Sequence, residues 1–575
     1  MKRLVSLFLT IYLCLMLLPA VSAAEETPAL SDEDKRALLA ALYEADISSV
    51  REALSLRLIS CEELTAYYLQ RIEAYNEPYN CFITLCDNAL EVARQRDEQL
   101  AAGEGTGALF GVPVVVKDNI HYAGYPTTNG RSSRLNEVSE ENAVIVEYLL
   151  QEGAIILGKT NMSTDAQDAR ASRSSAAGET KNADNPYLAS GGSSGGSAAA
   201  VSLNFAMAGL GTDTNSSLRY PAALNGCVSL RPTLGLLSKE GLIILNSHRD
   251  TPGAITRTVR DQAIMLDVIS GGEYGYAENL DDGVLKGMRI GVLSEFVYPN
   301  PDVWQRSEED LDDEIEAAFA AAVEELHRLG AEVVDVSLPN IFSLSSATFD
   351  GDSASARERY YAAYQALLRE NDISAVIFPS YLHAPQWSGE DADGVYQDVY
   401  SQPYITNCRD LSSCIGIPEI TVPIGQHSRG AGIGMEIAGD KNTEQLLLNI
   451  AYAYTQRYDH RAAPEGAENN YAADYAGAMA ERIDAYYASL LPAEEVEPPA
   501  EEAVPDDTPP EEPSAEEEPP ENEWSAVWLW LVPGVILVAF GAGAAVYYYN
   551  NKKHKRETEP VAANAEDLPD EPAEE

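Results

Sequence analysis

Positive charge is scarce in this chain. Its 575 residues carry 39 Lys and Arg against 91 Asp and Glu, a formal net charge of −52. So acidic a chain repels phosphate polymers, which argues against nucleic-acid binding. Cysteine is scarce too: there are seven, with no Cys-x-x-Cys pair. The seven histidines are scattered, and neither His-Glu-x-x-His nor an acidic calcium loop occurs. No metal and no cofactor is therefore expected. No lysine follows Gly196, which excludes a GxxxxGK[ST] phosphate loop in the Gly/Ser-rich stretch there. Internal repeats are absent, and no His–Asp arrangement stands out as a base for a serine nucleophile. Apolar residues are plentiful at 45%, enough for the core of one large or two ordinary domains.

The two ends differ from the middle. Lys2 and Arg3 precede an apolar run, Leu4 to Leu18, and Val21-Ser22-Ala23 offers small residues for cleavage. Residues 1–23 read as a secretory signal, or as an uncleaved anchor, and either takes the following domain out of the cytosol. From 492 to 523 the chain is nearly all Glu, Asp, Pro, Ala and Val without Lys or Arg. Such a segment buries no core and reads as a disordered, extended stalk. Residues 524–549 read as one transmembrane helix. Val527 to Val546 carries no charge, Trp528 and Trp530 flank one end, and Tyr547 to Tyr549 the other. Lys552, Lys553, Lys555 and Arg556 follow and assign 550–575 to the cytoplasm. The expectation is a single-pass protein of the cell membrane with residues 24–491 outside. Six cysteines fall in that domain (Cys61, Cys81, Cys86, Cys227, Cys408 and Cys414). They suit either disulfides of an exported chain or buried thiols of a large core.

Within 24–491, segments of helical and strand character alternate. Ser31 to Asn76 reads as helical, with a capping box at Ser60-x-x-Glu63. Val112 to Val116 reads as a buried strand, with Pro113 at its start and Lys117 at its end. Later strands are expected at 154–157, 288–293, 332–336, 375–378 and 420–424, interleaved with helices. This alternation predicts an α/β domain, a sheet covered on both faces.

The most informative stretch runs from Ser190 to Pro221. A Gly/Ser loop (Gly191 to Gly196) leads into an Ala-rich helical run (Ser197 to Met207). A second small-residue loop follows (Gly209 to Ser217), then Arg219-Tyr220-Pro221. Alone, a Gly/Ser loop is most often a connector. Gly191-x-Ser193-x-Gly195 formally matches a nucleophile elbow, but Asn182 to Ala189 before it reads as turns rather than the strand an elbow needs. Glycines permit close backbone approach, and a helix start presents unpaired N–H groups; both suit a developing negative charge.

This stretch closely resembles the amidase signature family, and weaker resemblance runs from about Ser60 to about Tyr454. Gly111-Val-Pro-Val-Val-Val-Lys117-Asp-Asn119 is similar to the strand that ends in the family's lysine. Gly158-Lys-Thr-Asn-Met162, Leu230-Arg-Pro-Thr-Leu-Gly235 and Arg257-x-Val259-x-Asp261 are similar to its other landmarks, in order. Ser193 and Ser217 stand 24 residues apart, as in the family. The resemblance implies one large mixed β-sheet between helices and hydrolysis of a carboxamide. It also implies a catalytic set in which Ser217 is the nucleophile, Ser193 the bridging serine after a cis peptide bond, and Lys117 the base. Backbone N–H groups of Thr214, Asn215, Ser216 and Ser217 would form the oxyanion hole. Asn215 and Ser216 replace the two glycines that many members carry, so a surface binding protein without turnover stands as the alternative. Ser247-His-Arg-Asp-Thr-Pro-Gly253 is similar to bacterial peptide amidases, which makes a peptide amide one substrate. Fatty amides are another, given the tether, whereas the export signal disfavours the cytosolic relative that serves tRNA-bound glutamate. The expected partners are an amide substrate and, through the C-terminal helix, the membrane.

Overall fold

The computed structural model describes residues 38–39, 42–298, 311–351, 354–390, 395–404 and 406–464. The expected signal, stalk, membrane helix and tail all lie outside the described residues. Among the described residues no helix is long and apolar enough to cross a membrane.

Eleven strands form one mixed sheet. In chain order they are β1 (Phe82–Leu85), β2 (Pro113–Lys117), β3 (Ile155–Thr160), β4 (Ala208–Asp213), β5 (Val228–Arg231) and β6 (Thr251–Thr256). β7 (Arg289–Leu293), β8 (Glu332–Val336), β9 (Ala375–Pro379), β10 (Glu419–Gln426) and β11 (Gly432–Ala438) complete it. The spatial order is β1-β3-β2-β4-β6-β5-β10-β11-β9-β7-β8. β2 runs parallel to both β3 and β4, and β7 parallel to both β8 and β9; the other pairs are antiparallel. Every residue of β2, β3, β4, β6 and β11 is buried. Successive strand residues face opposite sides, so both faces of this central region are covered.

Helices flank the sheet as expected, with α1 (Ile47–Ser55) and α2 (Cys61–Tyr75) at the start. Among the described residues the expected long helix is broken, with α1 and α2 parted by the Ser60 capping box. The Ser60 hydroxyl accepts from the Glu63 N–H at 3.0 Å, and the Ser60 N–H donates to Glu63 Oε2 at 2.9 Å. A cap starts a helix, so it also ends whatever precedes it.

One expectation fails at the centre. Residues 209–213, read as part of the loop from Gly209 to Ser217, belong to the central strand β4. Their small side chains are a packing requirement. A Cβ on Gly211 would lie 2.8 Å from both Leu218 Cδ2 and Ser194 Oγ. The Ala-rich run is likewise shorter than expected, and helix α3 spans Gly195–Ser202. All six described cysteines are buried free thiols, which decides between the two readings.

Candidate active site

Lys117 ends β2 and is fully buried. Its Nζ lies 2.7 Å from Ser193 Oγ, 2.8 Å from Ser194 Oγ and 2.9 Å from Thr212 Oγ1. No carboxylate forms an ion pair with it among the described residues. Burial lowers its pKa to about 7, against the opposing pull of Asp213 and Asp250. The neutral amine is thus accessible near neutrality. A neutral amine has two N–H donors and one lone pair. Ser194 spends its own proton on the Thr212 carbonyl at 3.2 Å, so it accepts from Lys117. Thr212 Oγ1 already accepts from Asn119 Nδ2 at 3.1 Å. Ser193 and Thr212 are the hydroxyls that keep a proton to donate into the lysine lone pair.

The first serine loop is held by backbone approach. The Gly192–Ser193 peptide bond is cis, and Gly191 takes φ +71°. The helix that follows starts against Asn161, whose N–H donates to Cys81 O and whose O takes the Gly196 N–H at 3.2 Å. A Cβ on Gly196 would sit 2.2 Å from that same Asn161 O, so only glycine fits. This is why the loop needs glycines in a place where a connector would tolerate others.

The second loop, Thr214 to Leu218, joins β4 to a short helix, α4 (Arg219–Leu224). Ser217 is 4% exposed. The two loops meet at Gly211, since Ser194 and Leu218 both press on that position. Among the described residues, however, no hydrogen bond joins the Ser217 hydroxyl to Ser193 or Lys117. Such bonds commonly tighten only in the substrate complex.

The backbone of this loop is sorted by polarity. The carbonyls of Asp213, Asn215 and Ser216 are held by protein donors. Arg231 Nη1 donates to Asp213 O at 2.6 Å, Arg219 Nη2 to Asn215 O at 2.9 Å, and the Tyr220 N–H to Ser216 O at 2.9 Å. The N–H groups of Thr214, Asn215, Ser216 and Ser217 donate to no acceptor among the described residues. Four consecutive donors left without a partner are unusual in a buried segment. Neither Asn215 nor Ser216 adopts positive φ; both are missing from the described residues that do. The conformation therefore does not require the two glycines, and Asn215 adds a contact, accepting from Arg249 Nη1 at 3.3 Å.

Behind the loop lies a buried ionic network absent from the sequence reading. Asp213 pairs with Arg219 at 3.2 Å and Arg231 at 2.8 Å. Burial works to raise the Asp213 pKa, but the two guanidiniums outweigh it and hold the carboxyl below the usual range. Arg219 also bonds Glu419, with Glu436 at 3.7 Å. Burial pushes the Glu419 carboxyl well up, although Arg219 opposes it. Cys408, Glu419 and Glu436 bring a thiol and two carboxyls together, and Arg219 supplies the positive charge there. Ser194, Thr212, Asp213 and Arg231 were also missed as site residues. Their signal was proximity in sequence to Ser193 and Ser217, or to the Leu230-Arg-Pro landmark.

Comparison with known proteins agrees with this geometry. The family model described as Amidase matches residues 63–357. The chain belongs to the amidase signature family. A glutamyl-tRNA(Gln) amidotransferase subunit from Thermoanaerobacter pseudethanolicus is 31% identical over 498 residues, covering 74% of this chain and 98% of the relative. The native peptide amidase of Stenotrophomonas maltophilia superposes with a TM-score of 0.63 at 26% identity, over 74% of this chain and 99% of that one. An amidase family protein from Bacillus anthracis shares the fold, with a TM-score of 0.63 at 24% identity, over 76% and 95%. The protein is thus an amidase signature enzyme that hydrolyses amides.

Proposed function

We propose that Ser217, Ser193 and Lys117 carry out this hydrolysis through an acyl-enzyme. The observation that carries the reading is Lys117: fully buried, bonded to hydroxyls, and pushed to a pKa of about 7. Lys117 takes the Ser193 proton as Ser193 takes the Ser217 proton. Ser217 Oγ bonds to the carbonyl carbon, and the oxyanion is held by the N–H groups of 214–217. When the tetrahedral adduct collapses, the C–N bond breaks and the proton returns through Ser193 to the leaving nitrogen. Water, deprotonated along the same path, then cleaves the acyl ester and restores Ser217. A serine-directed fluorophosphonate should label the wild-type protein and not Ser217→Ala. An unlabelled wild-type protein would favour the binding-protein reading instead.

The substrate class we favour is an amidated peptide. The Ser247 to Gly253 segment and the likeness to a peptide amidase both support it. We also propose that residues 24–491 sit outside the cell, tethered by the helix at 524–549. The apolar runs at both ends and the basic cluster after Tyr549 support this. Protease added to intact cells should then release a soluble active domain. Activity that stays protected until lysis would overturn the topology.

A further inference from the structure

The network behind the second loop holds two carboxyls that the hydrolysis itself does not use. Glu419 on β10 and Glu436 on β11 are both fully buried. In the antiparallel register Thr421 stands level with Glu436, so Glu419, two residues before Thr421, shares its face of the sheet. Helix α4 packs over that face, where a Cβ on Gly434 would lie 2.6 Å from Ala223 Cβ. Arg219, the first residue of α4, reaches both carboxyls, bonded to Glu419 Oε1 and 3.7 Å from Glu436 Oε2. Glu436 Oε1 accepts from the Ser380 hydroxyl at 2.5 Å and from the Cys408 thiol at 3.3 Å. The two carboxyls also lie within hydrogen-bond reach of each other. Bare carboxylates only accept, so a hydrogen bond between them needs a proton. Two like charges this close in an interior do not both ionise. The surrounding charges agree. Arg219 and Arg231 bring two positive charges and Asp213 one negative, so one further anion balances them. Burial keeps the Cys408 thiol protonated, with its pKa well above the usual value.

We propose that Glu419 and Glu436 share one proton and act as a single anion that positions the oxyanion hole through Arg219. The inference rests on Ser217 being the nucleophile and on the N–H groups of 214–217 being that hole. A guanidinium is a flat, rigid fork. Nε and Nη2 of Arg219 meet the Asp213 carboxylate at 3.2 and 3.3 Å, and Nη1 meets the glutamate pair. Nη2 also donates to the Asn215 carbonyl at 2.9 Å. Held on two edges, the fork fixes where that last contact lies. A trans peptide unit is planar, so a carbonyl held on one side aims the next N–H to the other. Arg219 on Asn215 O thus directs the Ser216 N–H, as Arg231 on Asp213 O directs that of Thr214. The fork needs one charge from the pair. The second carboxyl ties that charge to Ser380 and Cys408 and so fixes its place. Both glutamates are positioning residues, acting through Arg219.

The test uses the fact that glutamine mimics a protonated glutamate, accepting at one atom and donating at the other. In the full chain, Glu419→Gln and Glu436→Gln should each slow fluorophosphonate labelling of Ser217 by less than about fivefold, within the scale of one net hydrogen bond. Glu419→Gln/Glu436→Gln leaves Arg219 no anion on that edge. It should slow labelling about 10- to 100-fold per folded molecule, the scale of a hydrogen bond to a charged group. A pair that only supports the fold would lower the denaturation midpoint and leave that rate unchanged. Infrared difference spectra at neutral pH supply a second readout should the double variant fold poorly. Relative to wild type, each single variant should lose the C=O band of one neutral carboxylic acid. A folded double variant that labels at the wild-type rate, a single variant as slow as the double, or single variants that lose only carboxylate bands would overturn the proposal. A wild-type protein that is never labelled would instead remove the nucleophile assignment, while the infrared bands would still decide whether the proton is shared.

Discussion

Two lysines lie side by side on adjacent strands and are used differently. Both Lys117 on β2 and Lys159 on β3 are fully buried. In the parallel register Lys159 stands level with Val116, and Lys117 with Thr160. Residues level with each other share a face, so the two lysines point to opposite sides of the sheet. Lys159 has a carboxylate: Asp118 Oδ1 is 3.4 Å away, with the Pro126 carbonyl at 3.0 Å and Thr127 Oγ1 at 2.9 Å. Lys117 has hydroxyls. Burial lowers the pKa of both, but among the described residues only Lys159 has a carboxylate at ion-pair distance to hold its proton. Burial alone does not make a base. A buried lysine becomes one when the groups around it tolerate its neutral form and can pass it a proton.

The largest effect expected from breaking this comparison is on stability. Lys159→Met leaves Asp118 buried without its cation, and loss of one partner of a buried pair costs about 3–5 kcal/mol. Chemical denaturation should show that loss, while the specific activity of the folded fraction is kept. Lys117→Met should do the reverse. It keeps the bulk, removes a desolvated amine and leaves no carboxylate stranded, so the midpoint should hold. Activity should fall about 100-fold or more, the usual scale for loss of a general base. Ser193→Ala should cost a similar factor, and Lys117→Met/Ser193→Ala little more than either, because the two act as a unit. Fully additive losses would remove Lys117 from the proton path.

The same contrast explains what the sequence discloses. Lys117, Ser193 and Ser217 were singled out because linked motifs carry them in order, and the structure joins the first two. The pairing of Lys117 with Ser193 follows from strand ends and loops that the motifs mark. β4 was not legible, because Ala208-Gly209-Leu210-Gly211 lacks the β-branched residues that announce a strand. Its small residues answer to close neighbours, Ser194 and Leu218, that only the fold brings near. The network of Asp213, Arg219, Arg231, Glu419 and Glu436 was hidden for a related reason. Its members come from β4, the start of α4, and strands β5, β10 and β11, far apart along the chain. Charge in a sequence reads as surface until its partner is known. Lys159 shows the opposite error to guard against: it too lies in a family landmark, and composition alone gives no reason to prefer Lys117 over it.

The smallest and most discriminating effect is the pH dependence. Lys117 has a folded-state pKa of about 7, below its unfolded value. Its neutral form is the one proposed to work, so kcat/KM should rise with pH through about 7 and level off above about 8. One pH unit below the midpoint, about a tenth of the molecules hold a neutral amine, and the rate should fall about tenfold. The linkage sign agrees. Between about 7 and the unfolded lysine range the unfolded chain binds more protons at this group, so its contribution to stability rises with pH there. The enzyme should therefore gain activity across neutrality without losing fold. Asp250 pulls the Lys117 pKa upward, so Asp250→Asn should move the acid limb to lower pH. Lys159 predicts no such limb, because its protonation serves Asp118 and not the reaction. If Lys117 instead had to stay protonated, to donate hydrogen bonds to the serine loop, the limb would invert. A rate that falls as pH rises from about 6 to about 8 in a protein that remains folded would make Lys117 a structural lysine like Lys159.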